Sequence, residues 1–91
     1  MLLGEILNRL TDDGRATEII LDMGDLPMLV AMRARAEAAG VDLATFARAA
    51  LQRYAAEASD EEWITLMGLM GRTNDPGRVC FKRAFDNALR A

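Results

Sequence analysis

The chain has 91 residues, 52% of them hydrophobic, and a formal net charge of −3, which suits one small domain and leaves no room for a second. It contains no His, one Cys (Cys80) and one Ser (Ser59), which excludes Ser–His–Asp and Cys–His catalysis and an intrachain disulfide. The usual ligands of a four-coordinate zinc site are also too few. We therefore expect a single domain over 1–91 with no catalytic residues, no cofactor and no metal.

Charge is unevenly distributed along the chain. Residues 1–71 carry six basic and twelve acidic side chains, whereas residues 72–91 carry five basic and two acidic ones. The net negative charge of the protein is not expected to attract nucleic acid or anionic lipid. No targeting segment is evident, the nearly apolar stretch 63–71 is too short to cross a membrane, and a single Cys suits a reducing compartment. We expect a cytoplasmic protein that does not bind membranes.

Two short elements are predicted first. Leu and Ile residues at helical spacing predict an amphipathic helix over 2–10. A pair of Asp residues can then cap a second helix over 12–23, in which apolar residues follow Ala16 at i+3, i+4 and i+7. The β-branched pair Ile19-Ile20 also favours a strand. The sequence therefore leaves 16–23 open between helix and paired strand.

Two helices with clear ends are predicted in the middle of the chain. Asp25 can cap a helix over 26–39, and Gly40 is a natural residue after its C-terminus. Asp42 can cap a helix over 42–58, in which apolar residues recur at i, i+3, i+4 and i+7 without a break. Ala, Leu and Met dominate these segments, and all three favour helix.

The last two predicted helices differ in polarity. Ser59 and Glu62 have the spacing of a capping box for a helix over 60–71, which is apolar on nearly every side. Such a helix is either buried or part of an interface. Asp75 can cap a final helix over 76–90 with a single apolar stripe. We expect a compact all-α bundle of five or six short helices.

The segment 40–54 reads GVDLATFARAALQRY, with Gly, a polar cap, a bulky apolar residue and then Arg-x-Ala-Leu-x-x-Tyr. It resembles the second helix of ribbon–helix–helix DNA-binding proteins, and the resemblance extends over 18–57. The resemblance implies a dimeric transcriptional regulator or antitoxin with extra C-terminal helices, in which the paired strands, here 18–23, read the major groove. The side chains of that strand facing DNA would include Glu18 and Asp22, whose carboxylates repel phosphates. We therefore keep this fold and function as the alternative.

Several reactive or charged side chains have structural explanations that we prefer. Cys80 lies near basic residues that could activate a thiol, but a lone Cys on an apolar helix is more often buried. Arg72 and Arg78 flank a helix N-terminus, where Asp75 is expected to occupy the free amides in place of a bound anion. The acidic run 60–62 is explained by capping and by the helix dipole.

These observations predict a small non-enzymatic interaction protein, an adaptor or an accessory subunit, that acts through apolar helical surfaces. We expect it to bind a protein partner or another copy of itself, and we disfavour nucleic acid as a partner. The expected contact residues combine apolar side chains of the helix over 60–71 with basic side chains of the last helix: Trp63, Leu66, Met67, Met70, Arg78, Lys82 and Arg83.

Overall fold

A computed structural model describes residues 8–90, and five α-helices follow one another in chain order within them. These helices are α1 (Asp13–Asp22), α2 (Leu26–Ala39), α3 (Leu43–Glu57), α4 (Asp60–Met70) and α5 (Pro76–Arg90). The predicted all-α bundle is confirmed, and each end of these helices lies within one residue of its predicted position. For the helix predicted over 2–10, positions 2–7 lie outside the described residues.

Each of the five helices begins at a side-chain oxygen that accepts a hydrogen bond from the backbone N–H three residues later. The donor–acceptor distances are between 2.7 and 3.1 Å. The capping residues are Asp12, Asp25, Asp42, Ser59 and Asp75. Such a cap satisfies a backbone donor that the helix leaves free and contributes about 1 kcal/mol. These caps explain why short helices start where the sequence predicts.

The segment that the sequence left open between helix and strand is helical. Ala16, Ile19 and Ile20 of α1 are all buried. Consecutive residues of a strand point to opposite faces, whereas positions i, i+3 and i+4 of a helix share one face. Burial of both Ile residues in the same core therefore favours the helix, and no strand occurs within residues 8–90. The ribbon–helix–helix alternative is wrong at this point, because α1 occupies the place of its DNA-reading strand.

The hydrophobic core is built around α5. Phe81 and Phe85 are fully buried and their rings stack with centroids 5.6 Å apart. Of the described helices, α2, α3 and α4 all pack against α5, while α1 packs against α2 and α3. Helix α3 contributes several buried Ala residues, which permit close approach of its neighbours. The backbone turns between α1 and α2 and between α2 and α3 at Gly24 and Gly40, which have φ of 71° and 72°.

We predict that Phe81→Ala destabilises the protein by about 3–5 kcal/mol, because it removes a fully buried ring and leaves a cavity between α5 and its neighbours. A domain of this size has little stability to spare, so much of the variant should be unfolded at room temperature. Urea unfolding followed by circular dichroism measures the loss. Ile64→Ala, at an exposed position, should shift the free energy of unfolding by no more than about 0.5 kcal/mol. Equal losses for both variants would contradict the described core.

Candidate functional site

Helix α4 lies at the periphery of the bundle. Among the described helices its one extensive packing partner is α5. Only Leu66 of its 11 residues is buried, with 1% of its surface exposed. A helix this apolar would bury more of its surface if the bundle surrounded it. Much of its apolar surface therefore meets solvent.

The inner side of α4 is held by a charged network. Arg83 of α5 donates two hydrogen bonds to the Glu62 carboxylate, from Nε to Oε2 at 2.6 Å and from Nη2 to Oε1 at 2.5 Å. The hydroxyl of Tyr54, on α3, donates a further short hydrogen bond to Glu62 Oε2. A carboxylate bound by two nitrogens of one guanidinium is the stronger, geometrically specific form of ion pair. The network therefore links α3, α4 and α5 at one point.

This network determines the protonation of its members. The hydrogen bonds from Arg83 are the main cause that lowers the pKa of Glu62 to about 2, and the Tyr54 hydroxyl contributes in the same direction. Burial, followed by the hydrogen bond to Glu62, raises the pKa of Tyr54 to about 12. The hydrogen bonds to Glu62 also raise the pKa of Arg83. At neutral pH the network thus consists of a carboxylate, a guanidinium and a neutral phenol, with no group poised to exchange a proton.

The solvent side of α4 carries large apolar side chains. Ile64 is 73% exposed, Met67 65% and Trp63 38%. Gly68 lies one turn after Ile64 and is exposed as well. The Trp63 ring also leans on Tyr54, with ring centroids 6.4 Å apart. We call Trp63, Ile64, Met67 and Gly68 the outer face of α4.

The structure places the apolar residues of the predicted contact set on different sides of α4. Trp63 and Met67 lie on the outer face, but Leu66 belongs to the core and Met70 is half-buried against it. Ile64, the most exposed of the large apolar residues, was missed. Its position two residues before Leu66 in a nearly uniform apolar helix offers no local signal of which side faces inward.

The basic residues of the predicted contact set are engaged within the chain. Arg78 donates from Nη2 to the backbone oxygen of Met23 at 2.9 Å. Lys82 pairs with Asp25 at 3.2 Å, and Arg83 binds Glu62. These contacts join α5 to other parts of the bundle, and the predicted role of the three side chains in binding a partner stays a prediction. The predicted capping box is also only half formed, because the Glu62 carboxylate is bound by Arg83 instead of turning back to Ser59.

A polar cleft of about 360 Å³ lies beside the network, between the end of α3, the start of α4 and the last turns of α5. Its charged lining residues are Glu57, Glu62, Arg83, Asp86 and Arg90. The Glu62 and Arg83 side chains already satisfy each other. The cleft thus offers mixed charge without an unpaired buried group that would select one ligand.

The sequence suggested two other candidate sites, a reactive thiol at Cys80 and an anion site at the start of α5, and the structure argues against both. Cys80 is 6% exposed, and burial raises the pKa of its thiol, which opposes the activation expected from nearby basic residues. At the start of α5 the Asp75 carboxylate accepts the hydrogen bond from the Arg78 N–H at 3.1 Å. The helix N-terminus is therefore capped by the chain itself, as the sequence predicts.

No family of proteins, curated protein or solved structure matches this chain. Within residues 8–90, no three His, Cys, Asp or Glu side chains are grouped so that they could hold a metal ion. The helices that the structure describes are each too short or too polar to cross a membrane.

We predict that Glu62→Gln lowers the free energy of unfolding by about 1 kcal/mol at pH 7, because it removes the charge that Arg83 binds. The pKa of Glu62 falls from its ordinary 4.5 to about 2 on folding, so its contribution is complete above pH 4.5 and is lost as the pH falls towards 2. Urea unfolding at several pH values should show the difference between the two proteins shrinking over this range. Glu57→Gln is the matched control, because the Glu57–Arg53 pair is 59% exposed on both sides and should matter little.

We predict that the Cys80 thiol of the folded protein reacts about a hundredfold more slowly with a thiol reagent than in the urea-unfolded chain, because reaction requires local opening. Absorbance from a chromogenic disulfide reagent measures both rates at the same pH. Equal rates in the two states would mean that the Cys80 thiol is accessible in the folded protein and would contradict its burial.

Proposed function

We propose that this chain is a small non-enzymatic interaction protein, an adaptor or accessory subunit, that binds through the outer face of α4. The observation that carries the proposal is the exposure of Ile64, Met67 and Trp63 together on one peripheral helix. Single exposed apolar residues are ordinary on protein surfaces, whereas a contiguous apolar patch marks an interaction site.

The energetics of this face support the proposal. Moving a large aliphatic or Met side chain from water into a contact contributes about 1.5–3 kcal/mol. Trp63 adds a large, partly immobilised ring, a residue type that often dominates interface energies. Met67 has a flexible side chain that adapts to the shape of the bound surface. Since Leu66 and Glu62 hold the inner side of α4, a partner can cover the outer face without unfolding the bundle.

The other functional classes lack a supporting observation. DNA binding required a strand at 18–23, where the chain forms α1. A thiol enzyme required an accessible, activated Cys80, which is buried with a raised pKa. We place the protein in the cytoplasm, because a single unpaired Cys suits a reducing compartment.

We predict that a photoreactive amino acid at position 64 or 67 crosslinks a protein in living cells, with identification by mass spectrometry. The same amino acid at Arg48 or Gln52, which are exposed on α3, is the control. Contact through the outer face should give several-fold more crosslinked product from the α4 positions, because crosslinking requires direct contact. Either another protein or a second copy of this chain counts as the partner.

Circular dichroism of each substituted protein provides the folding check, since all four positions are exposed and should tolerate replacement. Crosslinking that is equal at the α3 and α4 positions, or absent from both α4 positions in cells that express the protein at its natural level, would refute the proposed function.

A further inference from the structure

The two ends of the outer face of α4 carry opposite charges. Asp60 and Glu61 lie in the first turn, and Arg72 follows the helix directly after Gly71. All three side chains are exposed, and the ion pairs among the described residues are made by other side chains. At 1.5 Å per residue, the acidic and basic ends are separated by about 18 Å along the helix axis. The face is therefore apolar in the middle, acidic at one end and basic at the other.

The middle of the face combines a projecting side chain with a gap. Ile64 projects into solvent with 73% of its surface exposed. Gly68 lies one turn later, and a Cβ atom placed on it would meet no atom within 4 Å. Helices approach closely where one of them lacks a side chain, so a side chain of another helix can pack against Gly68. The projecting Ile64 side chain and the gap at Gly68 therefore lie one turn apart on the same side of α4.

We propose that the outer face of α4 binds the same face of a second copy of this chain, with the two α4 helices antiparallel about a two-fold axis. This inference rests on the proposed function and names its partner. An axis level with Leu66 places Ile64 of each copy over Gly68 of the other. The same axis places Asp60 and Glu61 of each copy beside Arg72 of the other. One register thus matches both the shape and the charges.

Self-complementarity is the reason for choosing a second copy over an unrelated protein. When a second copy of the helix runs in the opposite direction, its basic end lies beside the acidic end of the first copy, and its acidic end beside the basic end. A two-fold interface, in which both copies use the same surface, requires such self-complementarity. The copies each carry a net charge of −3 and repel one another at long range, so local opposite charges are needed to align them. Because a helix of 11 residues supplies the centre of the contact, we expect a reversible dimer with a dissociation constant on the order of tens of micromolar.

The first test measures mass against concentration by sedimentation equilibrium of the full chain, from about 2 µM to about 500 µM. The wild-type mass should rise from 10.0 kDa towards twice that value. Gly68→Leu should remain monomeric, because it fills the gap that Ile64 of the other copy enters. Leu favours helix more than Gly, so this variant should keep its fold. Ala34→Leu adds a similar bulk to an exposed position of α2 and should dimerise like the wild type.

The second test uses charge reversal. The double variant Asp60→Lys with Glu61→Lys carries only basic groups at both ends of the face, and Arg72→Glu carries only acidic ones. Each should self-associate about tenfold more weakly than the wild type, because the paired ends now repel. An equimolar mixture of the two should regain the wild-type affinity, since every basic end then meets an acidic one. Circular dichroism establishes that both variants keep their helix content.

A wild-type chain that stays monomeric over the whole concentration range would overturn this inference. So would dimerisation of Gly68→Leu at the wild-type affinity, or a mixture of the reversed variants that associates no better than either alone. These results leave the crosslinking test of the proposed function intact, because crosslinks from positions 64 and 67 to a different protein would still support an interaction role for the face. Crosslinks absent from both positions would refute the two proposals together.

Discussion

The ion pair between Glu62 and Arg83 fixes one side of α4 against the bundle. Hydrophobicity alone does not set the rotation of this helix, because apolar residues occur on nearly all of its sides. Arg83 and Tyr54 hold the Glu62 carboxylate against α5 and α3, and Leu66 follows one turn later on the same side. Ile64 and Gly68 must then face outwards. Both the proposed interaction face and its proposed partner depend on that rotation.

Three basic side chains of α5 make contacts with other parts of the bundle. Arg78 and Lys82 reach from α5 to Met23 and Asp25 in the connection between α1 and α2, and Arg83 reaches Glu62 of α4. Arg35 of α2 also donates to the backbone oxygen of Leu89 near the end of α5. These contacts surround a core in which the Phe rings of α5 stack. Most of the basic side chains that suggested a contact surface thus have partners within the molecule. Arg72 is exposed beside α4.

The fold was more predictable than the site. Helix starts were predicted correctly because a side chain such as Asp42 or Ser59 caps a backbone donor three residues away, which is a local event. The segment 16–23 was ambiguous because its residues suit either structure in isolation. Packing decided it: Ile19 and Ile20 are buried in the same core, which a helix allows and a strand of alternating faces opposes.

By itself, the sequence determined the helical class, the positions of the helices and the absence of a His-based active site, because composition, periodicity and capping act over a few residues. Only the tertiary structure decided that Leu66 is buried and Ile64 exposed, and that Arg83 forms an ion pair with Glu62 of the same chain. Those outcomes depend on partners distant in sequence, such as Glu62 and Arg83, which are 21 residues apart. A nearly uniform apolar helix contains no local signal that could replace such a contact.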